Sequence, residues 1–254
     1  MDDFTVLCED CGYDLAGLAS EGACPECGRA VARSLPSARR GSAWQNRPEF
    51  FSWVTTMLHV LLRPTQTLRQ VQVSSRGRHL LVVNLMLAGA AAVAPWWGVF
   101  AGDPGREARR LPGPDGLVLQ AGIASMQIVS AATVLFLLTW IECRGIRFFA
   151  ARRGWRLTHA GAWQVCAHAS FGWLFCGGLA TLFLAGMFSV LRLFGIAPTG
   201  TLDLSPILRA RLDWSQIVGV GGPVLAYFAG LMIFEILIYK GVRACRFATT
   251  LRPG

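Results

Sequence analysis

The chain has 254 residues, of which 53% are hydrophobic and only 15% are charged, and its formal net charge is +9. Because about a quarter of the residues in a soluble domain are charged, this composition excludes an ordinary soluble globular protein. The hydrophobic residues stand in long runs with basic residues beside them, where cations set the orientation of membrane spans, so the positive charge does not by itself indicate nucleic-acid binding.

Two C-x2-C pairs define the N-terminal segment, residues 1–30. The four cysteines are Cys8, Cys11, Cys24 and Cys27. Two intervening residues let one tight turn present both sulfurs to a single ion, and the following glycines, Gly12 and Gly28, permit a backbone whose N–H groups point at sulfur. Two such turns close a tetrahedral four-sulfur site that has no open catalytic position. The spacing therefore predicts a zinc ribbon with a structural Zn²⁺; iron in the same cage and a dithiol redox pair remain the alternatives.

The predicted ribbon is acidic. Its carboxylates are Asp2, Asp3, Glu9, Asp10, Asp14, Glu21 and Glu26, and no Lys or Arg precedes Cys27. Affinity for nucleic acid depends on cations that neutralise phosphates, so nucleic acid is disfavoured and a protein partner with a basic surface is expected. The chain opens with acidic residues and shows no early apolar core of a signal peptide, so we expect these thiols in a reducing compartment.

Two segments without a membrane span follow the ribbon. Residues 31–47 are rich in Arg, Ser, Ala and Gly, which predicts a flexible basic linker, either in contact with anionic lipid headgroups or simply solvated. Residues 48–78 contain an apolar stretch too short to cross a bilayer, with helical spacing from Phe50 to Leu62. This pattern predicts an amphipathic helical segment that lies in the interface or packs beneath the membrane domain.

Residues 79–254 form the predicted membrane domain. Four runs are long enough to cross about 30 Å of hydrocarbon, and they are approximately Leu80–Ala101, Leu117–Ile141, Val165–Leu191 and Ile217–Tyr239. The fold class predicted is therefore an all-α transmembrane bundle of about four spans with a small N-terminal zinc ribbon. Gly177, Thr181, Ala185 and Ser189 recur every four residues in the third run, and such small residues let another helix approach closely.

Flanking cations predict the orientation of these spans. The connection between the second and third spans carries Arg144, Arg147, Arg152, Arg153 and Arg156, and basic residues also precede the first span and follow the fourth. The two other connections are mixed in charge. By the positive-inside rule, both termini and the ribbon face the cytoplasm.

Three polar residues, Asn84, His168 and Glu235, fall just inside the cytoplasmic ends of predicted spans. Ionisable groups in a membrane usually face the bundle interior or water, so His168 and Glu235 are candidates for a pair, with Asn84 nearby. Such a layer would serve as interhelical glue or as part of a transport path. No nucleophile with its base, no intramembrane metal motif and no P-loop is visible, so no catalytic residue and no further cofactor is assigned.

Two resemblances add expectations. The motif Cys8-x-x-Cys11-Gly-Tyr-Asp-Leu-x-Gly-Leu18, followed by Cys24-Pro-Glu-Cys27-Gly28, resembles the short zinc ribbons that head many uncharacterised bacterial multi-pass membrane proteins. This implies the bacterial inner (cytoplasmic) membrane. The membrane domain is similar to the Yip family at Leu62–Arg69 and in the basic stretch Arg144–Arg156 that leads through His168-Ala-Ser170. That similarity implies a non-enzymatic protein that organises membranes.

The function predicted is therefore a non-enzymatic integral membrane protein whose cytoplasmic ribbon recruits or senses a protein partner. A small-solute transporter or channel component that uses the His168/Glu235 layer is the first alternative. A membrane-tethered nucleic-acid binder is the second, and the acidic ribbon disfavours it. The lipid bilayer is the other expected partner, and homo-oligomer formation is left open.

Overall fold

The computed structural model describes residues 6–73, 78–100, 114–193 and 214–249, which contain helices and no β-strand. Two short 3-10 helices, Val31–Ser34 and Pro36–Ala38, precede the α-helices. The α-helices are α1 (Ala43–Asn46), α2 (Phe50–Leu62), α3 (Pro64–Gln70), α4 (Arg78–Phe100), α5 (Pro114–Arg152), α6 (His159–Ala169), α7 (Phe171–Leu193) and α8 (Trp214–Cys245). The all-α prediction is confirmed for these residues.

Among the described residues, three helical stretches are long and apolar enough to cross a membrane: Val118–Arg152, His159–Met187 and Gly221–Cys245. They correspond to the second, third and fourth predicted spans. In the first of them only 6% of the apolar window is buried, and large side chains such as Val118, Met126 and Ile141 are exposed. A continuous apolar surface of this kind needs a lipid environment, so the chain associates with a membrane.

Helix α4 corresponds to the predicted first span. It has 23 residues, but the apolar stretch in its described side chains, His79–Ala94, is shorter than the other three. The described residues therefore contain three candidate spans, and the predicted count of four is not confirmed.

The helices divide between two compact units. The span unit comprises the described residues of 84–136 and 172–233, and the ribbon unit comprises those of 1–83, 137–171 and 234–254. Within the span unit, α7 and α4 meet at Gly177, where an added Cβ would collide with the backbone of Ala91. The expectation that the small-residue stripe permits close helix approach is confirmed at this position. The hydroxyl of Tyr227 on α8 also donates to the carbonyl oxygen of Ala92 (2.7 Å).

Within the ribbon unit, α2 packs against α1, α3 and α6. Its inward residues Thr56 and Val60 are buried, whereas Phe51 is 79% and Leu62 is 76% exposed. The helix ends at Arg63 because Pro64, which lacks an N–H donor, begins α3. One face of α2 thus packs on the protein while the other presents apolar side chains, as an interfacial amphipathic helix requires.

The segment 31–47, predicted to be a flexible linker, is folded. It contains both 3-10 helices and α1, whose N-cap Ser42 forms a capping box with Gln45. The amide of Trp44 donates to the Thr56 hydroxyl (2.9 Å), and Gln45 reaches Gln72 and Gln164. The prediction failed here because hydrogen bonds to distant parts of the chain fix this segment, and composition does not report them.

Candidate metal centre

Two turns of the same geometry carry the four cysteines. In the first, the Cys8 amide donates to the carbonyl oxygen of Tyr13 (2.8 Å), and the Gly12 amide donates to that of Cys8 (2.9 Å). In the second, the Cys24 amide donates to the carbonyl oxygen of Arg29 (2.7 Å), and the Gly28 amide donates to that of Cys24 (2.9 Å). Gly12 (φ 84°) and Gly28 (φ 72°) adopt the left-handed conformation that favours glycine. The left-handed conformation predicted for the two glycines is therefore confirmed.

The turns bring the four sulfurs to one point. The Sγ atoms of Cys8 and Cys27 lie 3.4 Å apart, those of Cys11 and Cys24 lie 3.5 Å apart, and all four fall within 4.8 Å of one another. Zinc–sulfur bonds of about 2.3 Å in a tetrahedron require sulfurs about 3.8 Å apart. The donor set and its spacing therefore fit a four-thiolate metal site, and in the described residues no other cluster of this kind is present.

The protonation chemistry of the sulfurs also fits a cation. Removal from water opposes ionisation of Cys8, but the backbone N–H groups of Cys11 and Asp10 lower the pKa of that thiol to about 7. Burial raises the pKa of the Cys11 thiol to about 12. The Cys8 thiol thus ionises more easily than the Cys11 thiol, as expected when several anions would share a small volume. A divalent cation at the centre would reverse that resistance, because metal-bound thiols are deprotonated.

A buried arginine fixes the ribbon to the rest of the ribbon unit. Arg39 is 3% exposed, and its Nε donates to a carboxylate oxygen of Glu9 (2.7 Å) between the first two cysteines. Its Nη1 donates to the carbonyl oxygens of Leu68 (3.3 Å) and Val71 (3.0 Å) at the end of α3, and its Nη2 to that of Ala244 (3.2 Å) on α8. A single guanidinium therefore joins the metal turn, α3 and α8.

Further contacts hold the same side of the ribbon. Arg29 forms ion pairs with Asp10 (2.8 Å) and Glu9 (3.5 Å), and this Arg29 hydrogen bond is the main reason why the pKa of Asp10 is lowered. Arg246 donates to the backbone carbonyl of Asp10. Gly12 lies against the ring of Phe247, which an added Cβ would meet at 2.8 Å. Glu9, Asp10 and Gly12 thus form the inner face of the ribbon.

The predicted His168–Glu235 pair is not formed. His168 is fully buried, with Nδ1 2.8 Å from the carbonyl oxygen of Gln164 and Nε2 3.0 Å from the Ser42 hydroxyl. Both ring nitrogens are therefore occupied by groups of α6 and of the segment before α1. Glu235 is only partly buried and joins no ion pair in the described part of the chain. The prediction was wrong because folding of the segment 31–47 supplies His168 with a nearer partner.

Arg39 is the important residue that the sequence did not reveal. It stands beside Arg40 in a basic segment, and nothing in composition or spacing distinguishes the buried arginine from its exposed neighbour. The Ser42-x-x-Gln45 pattern was the available signal, since it is the signature of a capping box and so of a helix start. That signature argues against a flexible tether in this part of the chain.

No family model, curated protein or solved structure matches this chain. The resemblances to bacterial zinc ribbons and to the Yip family therefore stay predictions.

Proposed function

We propose that this protein is a non-enzymatic membrane adaptor whose zinc ribbon presents an acidic face to a protein partner. The ribbon holds a structural Zn²⁺ bound by Cys8, Cys11, Cys24 and Cys27. A closed site with four protein ligands has no open position for substrate, so the role of the metal is to shape a surface.

The observation that carries this proposal is the two-sided character of the ribbon. Its inner face is held by Arg39, Arg29 and Arg246. We define the outer face by the exposed residues that take no part in these contacts: Tyr13 is 37% and Leu18 is 39% exposed, and the carboxylates Asp14, Glu21 and Glu26 are exposed as well. Because the acidic inner residues are neutralised and the outer ones are not, the outer face is a negative surface with two apolar anchors, which suits a basic partner.

The membrane topology proposed for this adaptor has four spans, with α4 as the first. Its 23 residues extend about 34 Å at 1.5 Å per residue, enough to cross the hydrocarbon of a bilayer. The arginines that follow α5 and the basic end of α8 favour a cytoplasmic position for both termini and for the ribbon. The bacterial inner membrane is the location that the ribbon's sequence resemblance implies, and a membrane-organising role of the Yip type is compatible with an adaptor.

The transporter alternative receives no support from a specific contact. It depended on a charged pair between His168 and Glu235, and His168 instead bonds to Ser42 and Gln164. The adaptor is therefore the function that the geometry favours.

In-cell photocrosslinking tests the adaptor directly. A photoreactive amino acid at Leu18 is expected to capture one discrete protein, and the same amino acid at Gln66, an exposed position of α3, is expected not to. The triple variant Asp14→Lys, Glu21→Lys, Glu26→Lys should abolish the crosslink while keeping its zinc, because these carboxylates lie outside the cysteine cluster and form no ion pair in the described residues. The hydrogen bonds that Asp14 accepts from the Ala16 amide (2.9 Å) and Glu21 from the Ser20 hydroxyl (2.7 Å) are local.

Two outcomes would contradict the proposal. Equal crosslinking from Leu18 and Gln66 would show that the ribbon face is not selective. A crosslink that survives the charge reversal, or one to nucleic acid, would show that the acidic face is not the recognition surface.

A further inference from the structure

A cavity of about 370 Å³ lies in the ribbon unit between the inner face of the ribbon, α3 and the last turns of α8. Its lining contains five cations: Arg29, Arg69, Lys240, Arg243 and Arg246. Within the described parts of the chain, the carboxylates that line it are Glu9 and Asp10. The cavity is therefore positively charged, and its size is that of a small-molecule site.

Those two carboxylates are already neutralised. Glu9 pairs with Arg39, which lies outside the cavity lining, and both Glu9 and Asp10 pair with Arg29. Arg69, Lys240, Arg243 and Arg246 pair with no carboxylate in the ranges that the structure describes. The Nε of Arg29 is buried without a hydrogen-bond partner in the same ranges. Arg243 donates to the Tyr239 hydroxyl (3.3 Å) and Arg246 to the backbone carbonyl of Asp10, and these neutral groups do not cancel the charge of either side chain. Positive charge thus remains available to a ligand.

The end of α8 does not cancel this charge. Carbonyl groups at a helix C-terminus carry partial negative charge that disfavours an anion, and Ala244 lines the cavity. However, the carbonyl oxygen of Ala244 accepts from Arg39 (3.2 Å), which is a cation. The field in the cavity is therefore set by the arginines and Lys240.

Several guanidinium groups around one cavity favour a phosphate, because arginine binds its oxygens through paired N–H donors. The cavity adjoins side chains suited to lipid: on α8, Ile236 is 48% exposed and Tyr239 is 54% exposed, immediately before Lys240 and Arg243. An apolar surface that ends in an aromatic residue and then in cations is typical of the headgroup level of a membrane. Basic pockets at this level bind anionic headgroups.

We propose that this cavity binds the phosphate of an anionic phospholipid headgroup, with the ribbon forming one of its walls. Arg69 on α3 and Lys240, Arg243 and Arg246 at the end of α8 supply the charge. Glu9 and Asp10 act indirectly, because their ion pairs hold Arg29 at the cavity wall. The ribbon therefore helps to build a lipid site in addition to any face that it offers to a protein.

Lipid binding to the full-length protein tests the proposal. Wild-type protein in detergent should retain phosphatidylglycerol in preference to phosphatidylcholine, as counted by native mass spectrometry and by titration into mixed micelles. The double variant Lys240→Gln, Arg243→Gln should weaken phosphatidylglycerol about tenfold to thirtyfold, since each basic residue near a headgroup contributes roughly a factor of five. The matched control Arg152→Gln, Arg153→Gln removes two exposed cations that do not line the cavity, and it should change the affinity less than twofold.

Two readouts keep the result interpretable. Zinc content and thermal unfolding should be the same in both double variants, because all four side chains are exposed. Arg69→Gln provides a second cavity variant on a different helix, and it should weaken phosphatidylglycerol about threefold to fivefold.

Three outcomes would overturn the proposal. Equal retention of phosphatidylglycerol and phosphatidylcholine would show that the protein does not select an anionic headgroup. An equal loss of phosphatidylglycerol affinity in the control variant would show that general surface charge, and not the cavity, binds the lipid. Binding of glycerol 1-phosphate or inorganic phosphate as tightly as phosphatidylglycerol, with the same sensitivity to Lys240→Gln and Arg243→Gln, would assign the phosphate to a free compound and exclude the lipid.

Discussion

At the scale of single residues, Arg39 determines how the ribbon is seated. Its guanidinium lies between a carboxylate and three backbone carbonyls, and it is almost completely buried. Removing one member of such a network leaves the others desolvated without a partner, which costs more than the pair itself contributes. The seat of the ribbon should therefore be sensitive to this one side chain.

We predict that Arg39→Met lowers the free energy of unfolding of the ribbon unit by about 3–5 kcal/mol, because Glu9 loses the nearer of its two arginine partners and the buried carbonyls of Leu68 and Val71 each lose a charged donor. The adjacent Arg40→Met is the matched control, since Arg40 is exposed, and it should change stability by less than about 0.5 kcal/mol. Detergent-to-SDS denaturation of the full-length protein measures both. Equal stabilities of the two variants would show that Arg39 does not hold the ribbon.

The four cysteines and Arg39 show what a sequence reveals about individual residues. The cysteines could be grouped from their spacing because local turns create their geometry, and the structure brings their sulfurs together. Arg39 and His168 could not be assigned, because each is defined by partners more than twenty residues away, such as Leu68 for Arg39 and Ser42 for His168. Neither the basic character of Arg39 nor the depth of His168 in its predicted span identified those partners.

At the scale of helices, contacts between glycine and neighbouring backbone determine how closely α7 approaches α4. A Cβ at Gly177 would overlap the backbone of Ala91, whereas a Cβ at Gly178 meets nothing within 4 Å. Overpacking a helix contact forces backbone shifts that cost about 1–3 kcal/mol. At an open helical site, the same change is neutral or favourable, since alanine is the better helix former.

We therefore predict that Gly177→Ala destabilises the span unit by about 1–3 kcal/mol, and that Gly178→Ala is neutral or stabilising by up to about 1 kcal/mol. Thermal unfolding in detergent, followed by helical circular dichroism, separates the two. The contact between α4 and α7 would be refuted if Gly177→Ala were as stable as Gly178→Ala.

Helices could be predicted from the sequence better than their boundaries or contacts. Hydrophobic length alone located the helices of the second, third and fourth spans, because crossing a bilayer imposes that length. The segment 48–78 contains two helices, α2 and α3, because Pro64 ends the first and begins the second. The folded state of residues 31–47 depends on hydrogen bonds to α2 and α6, so composition alone misassigned this segment.

At the scale of the whole molecule, the proposed topology assigns each connection between spans to one side of the membrane. We predict that an impermeant maleimide labels a cysteine at Gly105, a position outside the described residues, in intact cells. A cysteine at Arg153 should react only after permeabilisation, because the arginines around it favour the cytoplasm. Cys143, Cys166, Cys176 and Cys245 are buried and should not react. Cys27 is exposed, so labelling of the chain without an added cysteine is the control. The reverse labelling pattern would place the ribbon outside the cell.

The central claim is that the N-terminal cysteines hold a structural zinc in the intact membrane protein. Metal analysis and zinc X-ray absorption of the purified full-length chain test it most directly, with Cys24→Ala beside Cys176→Ala, which removes a buried cysteine outside the cluster. We predict about one zinc per chain with four sulfur neighbours near 2.3 Å, lost in Cys24→Ala and retained in Cys176→Ala. Stoichiometric iron, a zinc with nitrogen or oxygen neighbours, or zinc that persists in Cys24→Ala would contradict the account.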